Sequence, residues 1–153
     1  MNDETKNKGF RLKSVLRHRK RVEENLQKDM RYLLHALAAA EGRLQSLLDA
    51  QEQSVRELAV KQAEGASMAE VGLYYSFLGQ LALEIQSQRT RVAEVQRQVD
   101  TKRMELLKAR KERKMLETLR EREWRARMEA LARREQKFLD EVGQRRALGG
   151  GVS

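Results

Sequence analysis

Glu64-Gly65-Ala66-Ser67-Met68-Ala69-Glu70 lies between two long stretches that read as helix and little else. Gly65 can take the left-handed conformation that closes a helix C-terminus. Ser67, with Glu70 three residues on, is a capping-box pattern that opens a new helix. A stop and a start this close make a tight turn, assigned to residues 65–67. The chain is therefore expected to fold back on itself as an all-α, long antiparallel two-helix coiled-coil hairpin.

Upstream of the turn, a first helix is expected over residues 10–64. Its apolar side chains follow a heptad in two rows: Leu16, Glu23, Met30, Leu37, Leu44, Gln51, Leu58, and Leu12, Arg19, Leu26, Leu33, Ala40, Leu47, Ser54. Ten of these 14 positions are apolar, which makes a coiled-coil seam. Downstream, a second helix is expected over residues 68–143. Its rows are Tyr74, Leu81, Gln88, Val95, Lys102, Ala109, Leu116 and Leu78, Ile85, Val92, Val99, Leu106, Arg113, with ten of 13 apolar. Beyond Leu116 the apolar pattern slips by one residue, to Trp124, Met128, Leu131, Glu135, Phe138 and Val142. Residues 1–9 read as a flexible polar lead and residues 144–153 as a flexible glycine-rich tail.

A fold point near residue 66 pairs positions whose numbers add up to about 132. Leu16 then meets Leu116, Leu26 meets Leu106, Leu33 meets Val99, Leu47 meets Ile85 and Leu58 meets Tyr74. Seam falls on seam throughout. A slip by a heptad would also match the rows, but it would carry the bend away from Gly65 and Ser67. Under this pairing the first helix runs out opposite residue 122, and the chain from about residue 123 overhangs as a projection of roughly 30 Å. Trp124, Met128, Leu131 and Phe138 form a stripe on it, the candidate surface for a partner. A curl back onto the first helix, or dimerisation, is the alternative use of that stripe.

The composition suits exposed helices with one buried stripe: 36% of residues are charged, 5% are aromatic, and there is neither proline nor cysteine. No run is apolar enough to cross a membrane, and the N-terminus lacks the apolar core of a secretory signal. The net charge of +9 is unevenly placed. Residues 36–96 carry 5 basic and 8 acidic side chains, whereas the remainder carries 27 basic and 15 acidic. A basic open end can be steered onto an acidic surface.

Catalytic patterns are missing. Gly42, Gly65, Gly72 and Gly79 are too scattered to cradle a phosphate. His18 and His35 stand alone, outside any metal-binding spacing, and no nucleophile has a base at a recognisable spacing. Neither enzyme activity nor a cofactor or metal is expected. The basic run KARKERKMLETLREREWRARM invites a nucleic-acid reading. A basic zipper needs an uninterrupted basic helix, and Glu112, Glu117, Glu121 and Glu123 would meet phosphates unfavourably, so no nucleic-acid partner is expected.

The opening FRLKSVLRHRKRVEENLQ resembles the start of the FliJ family of flagellar export proteins, in Phe10, Leu12, Val15, Leu16, Arg19 (or Arg17), Glu23 and Glu24. The stretch LYYSFLGQLALEI is similar to the family's Tyr-x-x-Phe-Leu segment, and ARKERKMLETLRERE with EQKFLDE is similar to its C-terminal end. Together these span most of residues 10–142. The resemblance implies a cytoplasmic stalk and adaptor, similar in fold to the gamma subunit of rotary ATPases. It would act at the cytoplasmic face of the type III export apparatus and associate only peripherally with the membrane-bound parts. Its implied partners are the hexameric export ATPase FliI, the export gate protein FlhA and export chaperones. Candidate ATPase-binding residues near the basic end are Arg11, Lys13, Arg17, Arg19, Arg21, Lys111, Arg113, Lys114 and Arg120. Candidate gate-binding residues are Tyr74, Tyr75, Phe77 and Leu81. The counterpart stalk of a virulence secretion system, a nucleic-acid-binding coiled coil and a self-associating one are the alternatives.

Overall fold

The computed structural model describes residues 2–150. The fold is all-α, a long antiparallel two-helix coiled-coil hairpin. A short helix α1 (Asp3–Asn7) precedes two long ones, α2 (Lys13–Ala63) and α3 (Met68–Gly149). The chain divides into two compact units, one of residues 24–107 and one of residues 1–23 with 108–153.

In the unit of residues 24–107, the turn is built from backbone hydrogen bonds. The amide of Ala66 donates to the carbonyl of Lys61 at 2.9 Å, and that of Gly65 to Gln62 at 3.2 Å. Gly65 sits at φ +83°, the left-handed geometry such a helix end demands. Ser67 Oγ accepts from the amide of Glu70 at 3.2 Å and so caps the first turn of α3. Beyond the turn the two helices run antiparallel. Every seam position here, from Leu26 to Leu58 and from Tyr74 to Leu106, is buried or half-buried. Val95 and Val99 are each 1% exposed. The register is read from polar contacts across the seam. Tyr74 Oη lies 3.5 Å from Glu57, Gln88 Nε2 donates to the Ala40 carbonyl at 3.0 Å, and Lys102 Nζ is 3.8 Å from Asp29. Each pair of numbers adds up to a value near the expected 132.

In the other unit, the start of α2 packs on α3 from Lys108 onward, and the N-terminal segment adds a third piece. The sequence reading treats residues 1–9 as flexible. The structure instead places α1 there, capped by Asn2 Oδ1, which accepts from the Glu4 amide. Gly9, at φ +84°, turns the chain so that Phe10, 2% exposed, enters the core beside Leu16 at 1%. The reason is polar: three α3 side chains, Arg120, Glu121 and Arg127, hold α1 and Lys8 in place.

That contact also changes the reading of α3. Its seam does not slip after Leu116. Arg120 and Arg127 continue the row of Arg113, while Glu123 and Ala130 continue the row of Leu116, and all four are buried or half-buried. Arg120 and Arg127 can occupy these positions because the N-terminal segment offers them hydrogen-bond acceptors. The uncovered part of α3 therefore begins after Ala130 rather than near residue 123. It stays helical to Gly149, past the residue-143 end read from sequence, and residues 151–153 of the glycine-rich tail lie outside the described residues.

Candidate functional site

The unit of residues 1–23 and 108–153 holds 22 basic and 11 acidic side chains. Which of them face solvent follows from who pairs with whom. On the α2 side, Arg11, Lys13, Arg17 and Arg21 are exposed, and on α3 so are Lys111 and Lys114. Three of the acidic residues interspersed in α3 are half-buried and paired within the chain. Glu112 accepts from Arg19 Nη1 at 2.5 Å, Glu117 from Arg113 Nη1 at 2.9 Å, and Glu121 from Lys6 Nζ at 2.6 Å. Over residues 108–127 the outer face is thus more basic than the composition suggests. Lys6 holds the Glu121 carboxyl below its ordinary value, chiefly through that hydrogen bond and against a smaller opposing effect of burial.

One ionic cluster lies inside the seam. Glu23, only 7% exposed, accepts from Arg113 and sits 3.4 Å from Arg110. Arg113 is held protonated above its ordinary value, first by the hydrogen bond to Glu23, with burial opposing and Glu117 adding to it. Of the nine cations proposed to meet the ATPase, Arg113 and Arg19 are therefore half-buried in ion pairs within the chain. Arg120 is not a surface residue at all, being 6% exposed and bonded to Asn7 and Asp3. Extending the heptad row through Arg113 would have placed Arg120 inside.

The family profile described as Flagellar FliJ protein matches residues 7–151, nearly the whole chain. The chain belongs to the FliJ family. Membership makes it a flagellar, export-related protein. No curated protein and no solved structure matches this FliJ-family chain.

The gate candidates of the FliJ-family chain split into two pairs. Tyr75 and Phe77 stand out from the start of α3, at 59% and 48% exposed. Leu81 is buried in the seam at 5%, and Tyr74 is half-buried with its hydroxyl toward Glu57. The two exposed aromatics can be gripped by a partner, whereas the other two orient the helix that carries them. The stripe on the far part of α3 splits likewise. Trp124 and Met128 are half-buried, while Leu131 and Phe138 are 48% and 64% exposed. Leu139, 61% exposed and absent from the sequence-read stripe, adds to the uncovered surface.

Open grooves mark the surface of the described residues. One, lined by Leu33, Glu94, Arg97, Gln98, Thr101, Lys102 and Glu105, measures about 450 Å³. Among the described residues no group of three or more His, Asp or Glu side chains could hold a metal ion. No described helix is long and apolar enough to cross a membrane.

Proposed function

We propose that this FliJ-family chain is a non-catalytic stalk and adaptor of the flagellar type III export apparatus. The basic face around Arg11, Lys13, Arg17, Arg21, Lys111 and Lys114 enters the central hole of the hexameric export ATPase FliI and promotes ring assembly. Arg19 and Arg113, partly exposed, contribute to the field of that face, and Arg120 is withheld from it. The exposed pair Tyr75 and Phe77 meets the gate protein FlhA, with Tyr74 and Leu81 holding their helix in register, and export chaperones complete the set of partners. The work takes place in the cytoplasm at the face of the membrane-bound apparatus.

The observation that supports this reading is the sorting of charge in the residue 1–23 and 108–153 unit. Glu112, Glu117 and Glu121 are neutralised by cations of the same chain, so exposed Lys and Arg are left to meet an acidic pore. Each exposed cation is worth at most about 1 kcal/mol, so the attraction is collective.

The test is to mix the protein with a purified export ATPase and measure hexamer formation and ATP turnover. A rise in both is expected, and no change in either sinks the stalk reading. Pairing of Glu112, Glu117 and Glu121 within the chain lessens the repulsion that argued against nucleic acid, which makes duplex binding the second reading. Affinity for arbitrary duplexes that falls steeply with salt, with no effect on the ATPase, would favour it.

A further inference from the structure

The N-terminal segment covers α3, and Lys6 and Asn7 of α1 are only half-buried in doing so. Helix α1 has five residues and no buried side chain, so it is too short to hold itself together. It is tied down by polar contacts alone. Arg120 Nη1 donates to Asn7 Oδ1 at 2.9 Å and Nη2 to Asp3 Oδ1 at 3.3 Å. Arg127 Nη1 donates to the Lys8 carbonyl at 2.5 Å, and Lys6 reaches Glu121. Between the two arginines stands Trp124, with the Arg127 guanidinium 5.7 Å from its ring centroid.

The segment is an incomplete ligand for the surface it covers. Arg120 Nε and Arg127 Nη2 are buried and have no hydrogen-bond partner. A buried donor left unpaired costs free energy that a better-matched acceptor would recover. The segment also places two lysines, Lys6 and Lys8, beside its two acids, Asp3 and Glu4, on a unit that is already strongly basic. A chain segment richer in carboxylates would pair with more of the guanidinium N–H groups and would meet less repulsion.

We infer that the Arg120–Trp124–Arg127 face of α3 is a docking site for an acidic peptide segment of a partner, occupied in the free chain by residues 2–9 as a removable stand-in. The partner displaces α1 and inserts carboxylates between the two arginines, beside the Trp124 ring that the Arg127 guanidinium approaches. Docking and release of α1 are then linked: whatever loosens α1 strengthens binding by the fraction of chains it opens. The site is independent of the ATPase reading, because it needs only an acidic segment of any origin.

Trp124 is the chain's only tryptophan, and it reports on the cover through Arg127, which lies 5.7 Å from its ring centroid and donates to the Lys8 carbonyl. The experiment uses the full chain and a fluorescein-labelled hexaglutamate peptide as probe. Gly9→Ala puts a side chain at φ +84°, with its Cβ 2.5 Å from Arg127 Nη1, and Asn7→Ala removes an acceptor from Arg120. Neither changes the net charge. Each should shift Trp124 emission, leave helical circular dichroism intact and tighten hexaglutamate binding by about fivefold. Adding Arg127→Gln or Arg120→Gln to Gly9→Ala should abolish the gain. Unchanged affinity in both release variants overturns the inference. So does a gain that survives both arginine substitutions, or an equal gain for a single-stranded oligonucleotide of the same charge, which would mark unselective attraction to polyanions.

Discussion

Removing the Glu23–Arg113 pair tests whether charge inside the seam holds this unit together. Full burial of an ion pair makes loss of one partner cost about 3–5 kcal/mol, and full exposure about 0–1 kcal/mol. Here the acid is nearly buried, with its side chain 9% exposed, while the Arg113 side chain is 22% exposed and keeps Glu117 as a second partner. Arg110, at 48%, is mostly in water and adds little. Glu23→Ala should therefore cost about 2 kcal/mol, between those limits. Arg113→Ala should cost about as much, since it strands the buried carboxylate. The double variant should cost less than the sum, by about 1–2 kcal/mol of coupling. Urea unfolding followed by circular dichroism, with the four chains measured side by side, gives that coupling directly. A coupling under about 0.5 kcal/mol would refute the geometry, because neighbours in direct contact must interact by more than that. Replacing the pair by two leucines is the converse: a well-packed apolar pair should be neutral or stabilising.

Three further outcomes follow from named contacts. Cysteine pairs at Leu47/Ile85 and at Leu26/Leu106 should each cross-link within one monomer of this otherwise cysteine-free chain; failure of both would sink the register. Leu16→Ala, at a side chain 1% exposed, should lose about 3 kcal/mol in denaturant unfolding, whereas Phe138→Ala at an exposed position should stay within about 0.5 kcal/mol of the parent. Acid should loosen the N-terminal cover at low pH. The folded-state Glu121 carboxyl lies below its ordinary value of 4.5 because of Lys6. Its contribution is therefore present above pH 4.5 and is lost as pH falls through the depressed folded value. Trp124 emission should hold steady down to pH 4.5 and change below it; a change complete above pH 5.5 would assign the cover to some other group.

Much of the molecule was legible in one dimension. Gly65 and Ser67 carry their conformations in their own chemistry, a missing Cβ and a short hydroxyl. The heptad rows from Leu12 to Leu58 and from Tyr74 to Arg113 carry theirs in spacing, because a seam buries whatever stands on it. Even Glu23, Arg19 and Arg113 could be placed inside by row alone. The site was less legible. Tyr75 and Phe77 stand off the rows and are exposed, and the heptad row points Arg120 inward, but the acceptors that hold it there, Asn7 and Asp3, lie more than a hundred residues away.

What the sequence determined by itself was therefore the helices, the bend and the pairing register, all of which rest on local propensity and on apolar periodicity. What only the tertiary structure decided was the sorting of charge: α1 where a loose lead was expected, arginines continuing a seam that the apolar pattern had abandoned, and three glutamates paired within the chain on a helix that reads as mixed. The physical reason is that apolar side chains are buried by position, whereas Arg, Lys and Glu carry long arms and are placed by whichever partner the folded chain brings within reach.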